Sequence, residues 1–171
     1  KLEEKFNKTH KVKYSIAVNS GTSGLFSALL ALGCKKNDEV LVPALTPLMC
    51  GLTVHYTGAT PVFVDSDPDT FLMCSNDLEK KITKNTKCIM VVHMYGAVCD
   101  MNKIMKLSKK YNLPIIEDCA QCFFGKDYKG RITGTIGDIG VWSFENSKQI
   151  TCGDGGLVST NNKKLGKKIR Q

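Results

Sequence analysis

Short apolar runs rich in β-branched residues recur along the chain and alternate with segments of helical spacing. We predict strands over 14–18, 39–43, 61–65, 88–93, 113–118, 139–144 and 156–160. These runs lack strict alternation of polar and apolar positions, which is typical of strands covered on both faces. The alternation of strand and helix at this spacing predicts an α/β domain with a mostly parallel sheet.

Three of the intervening segments carry clear helix signals. We predict helices over 23–33, 76–82 and 100–112. Gly33 is expected to end the first helix, and Asn76 is expected to cap the second, with Glu79 placed as in a capping box. Asp100 is expected to cap the third helix. The apolar side chains of this third helix share one face: Met101, Ile104, Met105 and Leu107.

An uncharged segment over 40–64 has the length of a membrane span but not its composition. Its 25 residues include no Asp, Glu, Lys or Arg, yet prolines, glycines and a histidine interrupt it. A bilayer-spanning helix needs about 20 predominantly apolar residues without such breaks. We therefore interpret the segment as a strand, a helix and a second strand, all buried, and predict no membrane association.

The composition is that of an ordinary globular protein, with 171 residues, 42% hydrophobic and 23% charged. Because the chain begins at Lys1 and stops at Gln171 within a helix-like basic stretch, we expect a fragment that forms one domain. The formal net charge is +8. Only Arg131 and Arg170 are arginines, the residue best suited to forked phosphate and guanine contacts, so we expect no nucleic-acid partner.

Cysteines are frequent, and most of them lie in apolar runs. The eight positions are Cys34, Cys50, Cys74, Cys88, Cys99, Cys119, Cys122 and Cys152. In such runs a free cysteine behaves as a small buried hydrophobe, which favours a reducing compartment, the cytoplasm. Cys119 and Cys122 form one CxxC pair without a second pair or a nearby histidine pair. We expect no metal site, and a redox or metal role for this pair is the minor alternative.

The first predicted strand is followed by small residues and then a helix. The sequence Asn-Ser-Gly-Thr-Ser-Gly over 19–24 offers backbone N–H groups at a helix N-terminus, where an anion is favoured. It is neither a GxxxxGKS phosphate loop nor a GxGxxG dinucleotide fingerprint. A phosphate cradle and a simple capped turn explain this segment equally well.

Two further strand exits carry polar residues suited to chemistry. Glu117 and Asp118 end a hydrophobic strand, where a carboxylate is costly unless it has a partner, and Gln121 follows closely. Asp118 could equally cap the next turn. Lys148 follows another buried strand and precedes a glycine-rich turn over 153–156, so it is either a surface lysine or a buried reactive amine that forms a Schiff base.

An anion cradle, a strand-end carboxylate and a pocket lysine are the parts that a pyridoxal phosphate site requires. In this combination the chain resembles the DegT/DnrJ-type family of sugar aminotransferases, which have the aspartate aminotransferase fold (fold type I). The matching stretches follow the family order over nearly the whole chain: NSGTSGLFSALLALG, VPALTPLMCGLTVHYTGATPVFVDSDPDT, VVHMYGAVCDMNKI and IIEDCAQCFFGKDYKGRITGTIGDIGVWSFENSKQITCGDGGLVST. The elements EDxAQ, SFxxxK and GDGG are specific in combination.

The resemblance implies a fold and a cofactor. The expected fold is a three-layer α/β/α arrangement with a mostly parallel mixed sheet, and residues 1–171 would form part of the large cofactor-binding domain, without the family's smaller C-terminal domain. The implied cofactor is pyridoxal 5'-phosphate. The implied activity is amino transfer, with glutamate as the usual donor, to a keto group of a nucleotide-linked deoxysugar in polysaccharide or glycan precursor biosynthesis. Fold-type-I enzymes usually work as homodimers.

The resemblance also implies roles for individual residues. Lys148 would form the Schiff base, and Asp118 would pair with the pyridine nitrogen. Gln121 would lie near the phenolic oxygen of the cofactor. The phosphate would be held by the backbone amides of Gly21 and Thr22 and by the hydroxyl of Ser143.

His93 matches the HxxG element of the family, where we expect either a supporting role near Asp118 or a buried core histidine. In many family members an aromatic residue that stacks on the cofactor follows the Thr of the PxxT element, and Pro47 takes that place here. Because of Pro47, a non-catalytic binding module of the same fold is one alternative. A sugar dehydratase-like enzyme is a second, because some relatives of this fold dehydrate sugars. Lys148 favours amino transfer over dehydration, because the dehydrating relatives usually replace this lysine.

Overall fold

The computed structural model describes residues 1–171 and consists of seven strands and six α-helices. The strands are β1 (Tyr14–Val18), β2 (Glu39–Pro43), β3 (Thr60–Val64), β4 (Thr86–Val92), β5 (Ile115–Asp118), β6 (Ile139–Ser143) and β7 (Gly156–Thr160). The helices are α1 (Leu2–His10), α2 (Gly21–Leu32), α3 (Leu48–Tyr56), α4 (Ser75–Lys81), α5 (Met101–Tyr111) and α6 (Lys163–Arg170). The predicted α/β fold class is confirmed.

All seven strands form one mixed sheet in the order β1-β7-β6-β5-β4-β2-β3. The strands from β6 to β3 pair in parallel, whereas β7 is antiparallel to both of its neighbours. Two antiparallel steps leave β1 parallel to β6. The carboxyl ends of β1, β4, β5 and β6 therefore meet at one edge of the sheet, where open α/β sheets bind ligands.

The central strands are buried on both faces, as their continuous apolar runs predict. Every residue of β5, β6 and β7 is buried. The main core packs the helices on the sheet through side chains such as Leu29, Leu41, Ile89, Ile104 and Ile116. A second cluster, which includes Phe6, Phe123 and Trp142, joins α1 to the segment after β5. No helix is both long and apolar enough to cross a bilayer.

Helix ends are confirmed for α2 and α5 but not for α4. Gly33 has φ 79° and caps α2, and the side chain of Asp100 accepts a hydrogen bond from the amide of Lys103. The prediction of Asn76 as a cap is wrong, because α4 already begins at Ser75. No side chain caps α4, and Asp77 in its first turn accepts a hydrogen bond from the amide of Asp65.

The expectation that the whole uncharged segment is buried is also wrong. β3 lies at the edge of the sheet, and Phe63 on this strand is 49% exposed. Leu48 on α3 is 72% exposed. The helix covers β2 and β3 with one face only, so its opposite face and the outer strand are left in contact with solvent.

Candidate active site

A cleft of about 270 Å³ opens at the carboxyl edge of the sheet and brings the six predicted site residues together. Gly21 and Thr22 come from the start of α2, Asp118 and Ser143 end β5 and β6, and Gln121 and Lys148 lie in the loops after these strands. The complete lining is Ser20, Gly21, Thr22, Leu25, Pro47, Met49, Cys50, Asp118, Ala120, Gln121, Ser143, Glu145, Lys148 and Asp154. The fold thus brings residues that are more than 120 positions apart in the sequence, such as Gly21 and Lys148, into one site.

The N-terminus of α2 presents unsatisfied amides to this cleft. The side chains of Ser20 and Ser23 form a reciprocal capping box, and the amide of Gly24 binds the carbonyl of Ser20. The first amides of a helix have no partner within the helix, so those of Gly21 and Thr22 remain available to an anion. The capped turn and the anion cradle, which the sequence presents as alternatives, are therefore both present.

Close packing makes glycine necessary at position 21. A Cβ atom on Gly21 would lie 2.9 Å from Cβ of Ser143, nearer than carbon atoms approach in folded proteins. The helix start can therefore lie against the end of β6 only without a side chain. This contact places the free amides beside the hydroxyl of Ser143, whose Oγ accepts the amide of Glu145 at 3.4 Å and keeps its own proton to donate.

Asp118 is buried at the base of the cleft. Its Oδ1 accepts the amide of Ala120 at 2.9 Å, which caps the following turn, and its Oδ2 accepts the thiol of Cys50 at 3.3 Å. Burial raises the pKa of the Asp118 carboxyl, while these two donors and the positive charge of Lys148 act in the opposite direction. Such a carboxylate is suited to pairing with a cationic group of a ligand.

Glu117 has a different role from its neighbour because successive strand residues face opposite sides of the sheet. Its carboxylate accepts three backbone amides, from Gly134, Ile136 and Gly137, at 2.6–2.9 Å. The buried ring of His93 lies 3.1 Å from the same carboxylate. Glu117 therefore anchors the loop before β6 and does not reach the cleft.

Of the two expectations for His93, the buried histidine is confirmed, since its ring is fully buried and hydrogen bonds to Glu117. Its backbone amide binds the carbonyl oxygen of Asp118. The Nδ1 atom of His93 accepts the amide of Cys99, so the ring proton lies on Nε2 and is donated to Glu117. Burial opposes a charge on the His93 ring, but the carboxylate of Glu117 raises its pKa. A second ring proton would have to lie on Nδ1, however, where it would point at the N–H group of Cys99. The ring is thus a buried structural element.

Gln121 is oriented by the backbone. Its Oε1 accepts the amide of Tyr95 at 2.9 Å, and Tyr95 adopts a left-handed conformation with φ 52° that directs this amide toward the site. With Oε1 engaged, the Nε2 group is the part of the side chain left to donate into the cleft.

Lys148 lies in the loop after β6 with its side chain 23% exposed. The Nζ atom is 3.9 Å from a carboxylate oxygen of Glu145, which also accepts the amide and hydroxyl of Ser147. Lys148 is thus an amine at the mouth of the cleft, near the carboxylate of Asp118. The arrangement joins an anion cradle, a buried carboxylate and an amine.

Several lining residues were missed by the sequence reasoning. Cys50 was assigned only to the apolar core, and Glu145 and Met49 were not considered. Glu145 lies inside the SFxxxK element, three residues before the lysine, and this spacing could have indicated its contact with Lys148. The contact of Cys50 with Asp118 crosses 68 residues of sequence and leaves no local signal.

A larger cleft, of about 460 Å³, lies between the loop after β3 and the start of α5. Its charged side chains, except that of Lys126, are engaged with other side chains or with the backbone. Lys103 pairs with Asp100 at 3.3 Å, and Asp127 binds Arg131 at 2.6 Å. Asp67 accepts hydrogen bonds from the amides of Asp69 and Thr70. None of the six predicted site residues lines this cleft.

All eight cysteines are free thiols in the structure, and six of them are buried. Cys152 is exposed, and Cys74 is partly exposed. Burial raises the pKa of the Cys119 thiol, which disfavours the thiolate. Most of these side chains are therefore protected core residues, as the sequence predicts.

Comparison with known proteins gives consistent matches over the full chain. A model of the DegT/DnrJ/EryC1/StrS aminotransferase family matches residues 1–171. GDP-perosamine synthase from Escherichia coli O157:H7 is 52% identical over 165 residues, which are 96% of this chain and 45% of that protein. The chain therefore spans less than half the length of this curated relative.

Solved structures show the same fold. An aminotransferase from Psychrobacter cryohalolentis superposes with a TM-score of 0.94 at 43% identity, over 98% of this chain and 42% of that one. NtdA from Bacillus subtilis, described with bound cofactor PMP, superposes with a TM-score of 0.89 at 35% identity, over 98% of this chain and 38% of that one. These matches confirm the fold expected from the sequence, that of the pyridoxal-phosphate-dependent aminotransferases.

Proposed function

Since the chain belongs to the DegT/DnrJ/EryC1/StrS aminotransferase family, which uses pyridoxal 5'-phosphate, we propose that it is the cofactor-binding part of a sugar aminotransferase. The proposed reaction transfers an amino group from glutamate to a keto group of a nucleotide-linked deoxysugar. The observation that carries the proposal is the meeting of the free amides of Gly21 and Thr22, the buried carboxylate of Asp118 and the amine of Lys148 in one cleft.

The residues of the cleft fit the cofactor group by group. The two free amides and the Ser143 hydroxyl offer donors for a phosphate, in a cradle that a Cβ at Gly21 would fill. Asp118 offers a buried carboxylate for a protonated ring nitrogen, and Nε2 of Gln121 offers a donor for the phenolic oxygen. The apolar walls come from Leu25, Pro47 and Met49. Pro47 thus lines the cleft where many relatives have an aromatic residue.

When bound, the cofactor supplies a carbonyl that receives the amino group and a ring that accepts electron density. In this proposal Asp118 holds a proton at the ring nitrogen, which matters most as negative charge develops. Lys148 would hold the cofactor through Nζ, and the same amine would move the proton of the amino-acid α-carbon. The side chains of Leu25 and Met49 exclude water from one side of the site.

We also propose that the working enzyme is a cytoplasmic homodimer and that further sequence completes the substrate site. Apolar side chains exposed on α3 and β3, such as Leu48, Tyr56 and Phe63, support association of this surface with another protein surface. Light scattering on the full-length protein tests the dimer, which a monomer at micromolar concentration would contradict.

The proposed activity is tested with the full-length protein loaded with pyridoxal 5'-phosphate. Addition of glutamate is expected to convert the absorbance of the aldehyde form to that of the amino form, with release of an equal amount of 2-oxoglutarate. A nucleotide-linked keto deoxysugar should then restore the first spectrum and yield the amino sugar. A protein that binds no cofactor would support the non-catalytic alternative, and sugar conversion without 2-oxoglutarate would support the dehydratase-like one.

The phosphate cradle gives a specific prediction for Gly21→Ala. The added Cβ would force the helix start away from Ser143, so the free amides move away from the phosphate. We expect the affinity for pyridoxal 5'-phosphate, measured by equilibrium dialysis, to fall about tenfold, the equivalent of about 1.4 kcal/mol.

The matched control is Gly51→Ala on α3, where the new Cβ meets only the Phe63 ring at an ordinary 3.4 Å. It makes the same chemical change in a helix outside the cradle and is expected to leave the cofactor affinity unchanged. Equal affinities of the wild type and Gly21→Ala would remove the α2 amides from the phosphate site.

A further inference from the structure

The thiol of Cys50 lies against the carboxylate that ends β5. Cys50 is in the first turn of α3 and is fully buried, and its Sγ lies 3.3 Å from Oδ2 of Asp118. This distance is that of an S–H···O hydrogen bond. The contact ties α3 directly to the base of the cleft.

The proton of this contact belongs to the sulfur. Burial and the adjacent Asp118 charge raise the pKa of the Cys50 thiol, so the sulfur remains protonated. An ionised carboxylate can only accept hydrogen bonds. Cys50 is therefore the donor and Asp118 the acceptor, and the charge on the acceptor strengthens the bond.

Two donors from different elements hold the two oxygens of the carboxylate. The amide of Ala120, on the turn after β5, binds Oδ1, and the thiol of Cys50, on α3, binds Oδ2. Together they fix the plane of the carboxylate where it lines the cleft. The other titratable groups around Asp118 are His93 after β4, Lys148 after β6, and Glu117 and Cys119 on its own segment.

The remaining cysteines do not share this arrangement. The Cys34 and Cys88 sulfurs lie 3.8 Å apart, the Cys99 thiol donates to the carbonyl of Val92, and the Cys122 thiol donates to that of Gly96. Of the eight thiols, that of Cys50 alone contacts a carboxylate. A residue that served only to fill the core would not require a donor at this atom.

We propose that Cys50 is a positioning residue for Asp118. The Cys50 thiol donates a hydrogen bond to Oδ2 of Asp118, which stabilises the ionised carboxylate and keeps it oriented toward the cleft. The proposal deepens the proposed function, because it rests on Asp118 as the partner of the cofactor ring. Cys50 acts through Asp118 and need not touch the substrate or the cofactor.

The test is an infrared pH titration of the full-length protein without cofactor. The protonated-carboxyl band of Asp118 is assigned by its loss in Asp118→Asn. Removal of the donor in Cys50→Ala destabilises the charged carboxylate, so the titration midpoint of Asp118 should rise by about 0.5–1 pH unit. Cys50→Ser, which restores a hydroxyl donor, should return the midpoint to the wild-type value or below it.

A second signature comes from the thiol itself. The S–H stretching band that disappears in Cys50→Ala should shift in the wild type as Asp118 is protonated. If Cys50→Ala does not fold, Cys50→Val keeps more of the side-chain volume, lacks the donor as well, and must show the same upward shift.

The control is Cys88→Ala, which removes a fully buried thiol near the start of β4, away from the cleft. It should leave the Asp118 midpoint unchanged. Equal midpoints in the wild type, Cys50→Ala and Cys50→Ser would overturn the proposal. Because the titration uses neither cofactor nor substrate, that outcome would leave the proposed aminotransferase function to its own test.

Discussion

Replacement of Lys148 by alanine is expected to abolish covalent attachment of the cofactor and to lower amino transfer by at least about 10³-fold. The side chain offers an amine at the mouth of the cleft, and in the proposed function this amine is both the covalent anchor and the base that moves the α-proton. The amide and hydroxyl donors to the phosphate do not depend on this side chain, so the cofactor should still bind non-covalently. The measurement is borohydride reduction followed by peptide mass spectrometry.

The matched control is Lys164→Ala, which removes an exposed lysine at the start of α6, on the side of the molecule away from the cleft. In Lys164→Ala, borohydride reduction should still attach the cofactor to the peptide that contains Lys148. Far-ultraviolet circular dichroism of both variants should match that of the wild type. Cofactor trapped on a different lysine in the wild-type protein would show that Lys148 has been assigned wrongly.

Asp118→Asn is expected to lower turnover by about 100- to 1000-fold while changing cofactor affinity by less than about tenfold. The carboxamide can still accept the Ala120 amide, but it carries no charge to hold a proton on the ring nitrogen. Charge stabilisation of this kind acts mainly in the transition state, where removal of one group typically costs this factor. Steady-state kinetics and equilibrium dialysis on the same preparation separate the two effects.

Asp138→Asn provides the comparison at the opposite end of β5. The Asp138 side chain accepts the amide of Ile115, so the variant makes the same chemical change next to the same strand. Its amide oxygen can retain that hydrogen bond, and we expect near-normal turnover. Near-normal turnover in Asp118→Asn as well would exclude Asp118 from the mechanism, and an equal fall in turnover and affinity would assign it to binding alone.

The α/β class and most of the strands follow from the sequence because a buried strand needs a continuous apolar run. β1, β2 and β7 begin and end where the pattern predicts, at Tyr14–Val18, Glu39–Pro43 and Gly156–Thr160. Caps that bind locally were also predictable, as at Asp100. The start of α4 was not, because no side chain caps this helix, which begins at Ser75.

Residue types at strand exits were enough to select Gly21, Asp118 and Lys148, since a helix start, a buried carboxylate and a strand-end amine each have a local sequence signal. Their convergence depends on the sheet order, in which β7 inserts between β1 and β6 and leaves both carboxyl ends at one edge. The different roles of Glu117 and Asp118 also depend on the tertiary structure. Glu117 faces the His93 ring, whereas Asp118 faces the cleft.

The sequence by itself determined the fold class and the secondary structure of most of the central sheet, and it predicted the residues that we propose to bind a phosphate, a ring nitrogen and an aldehyde. These properties depend on side-chain chemistry and on spacing within a few residues. Only the tertiary structure decided that the Cys50 thiol meets Asp118, that His93 serves Glu117 and that α3 leaves one face exposed. Each of these features depends on sheet order and helix packing, which set the distance between segments. Residue spacing along the chain does not predict that distance.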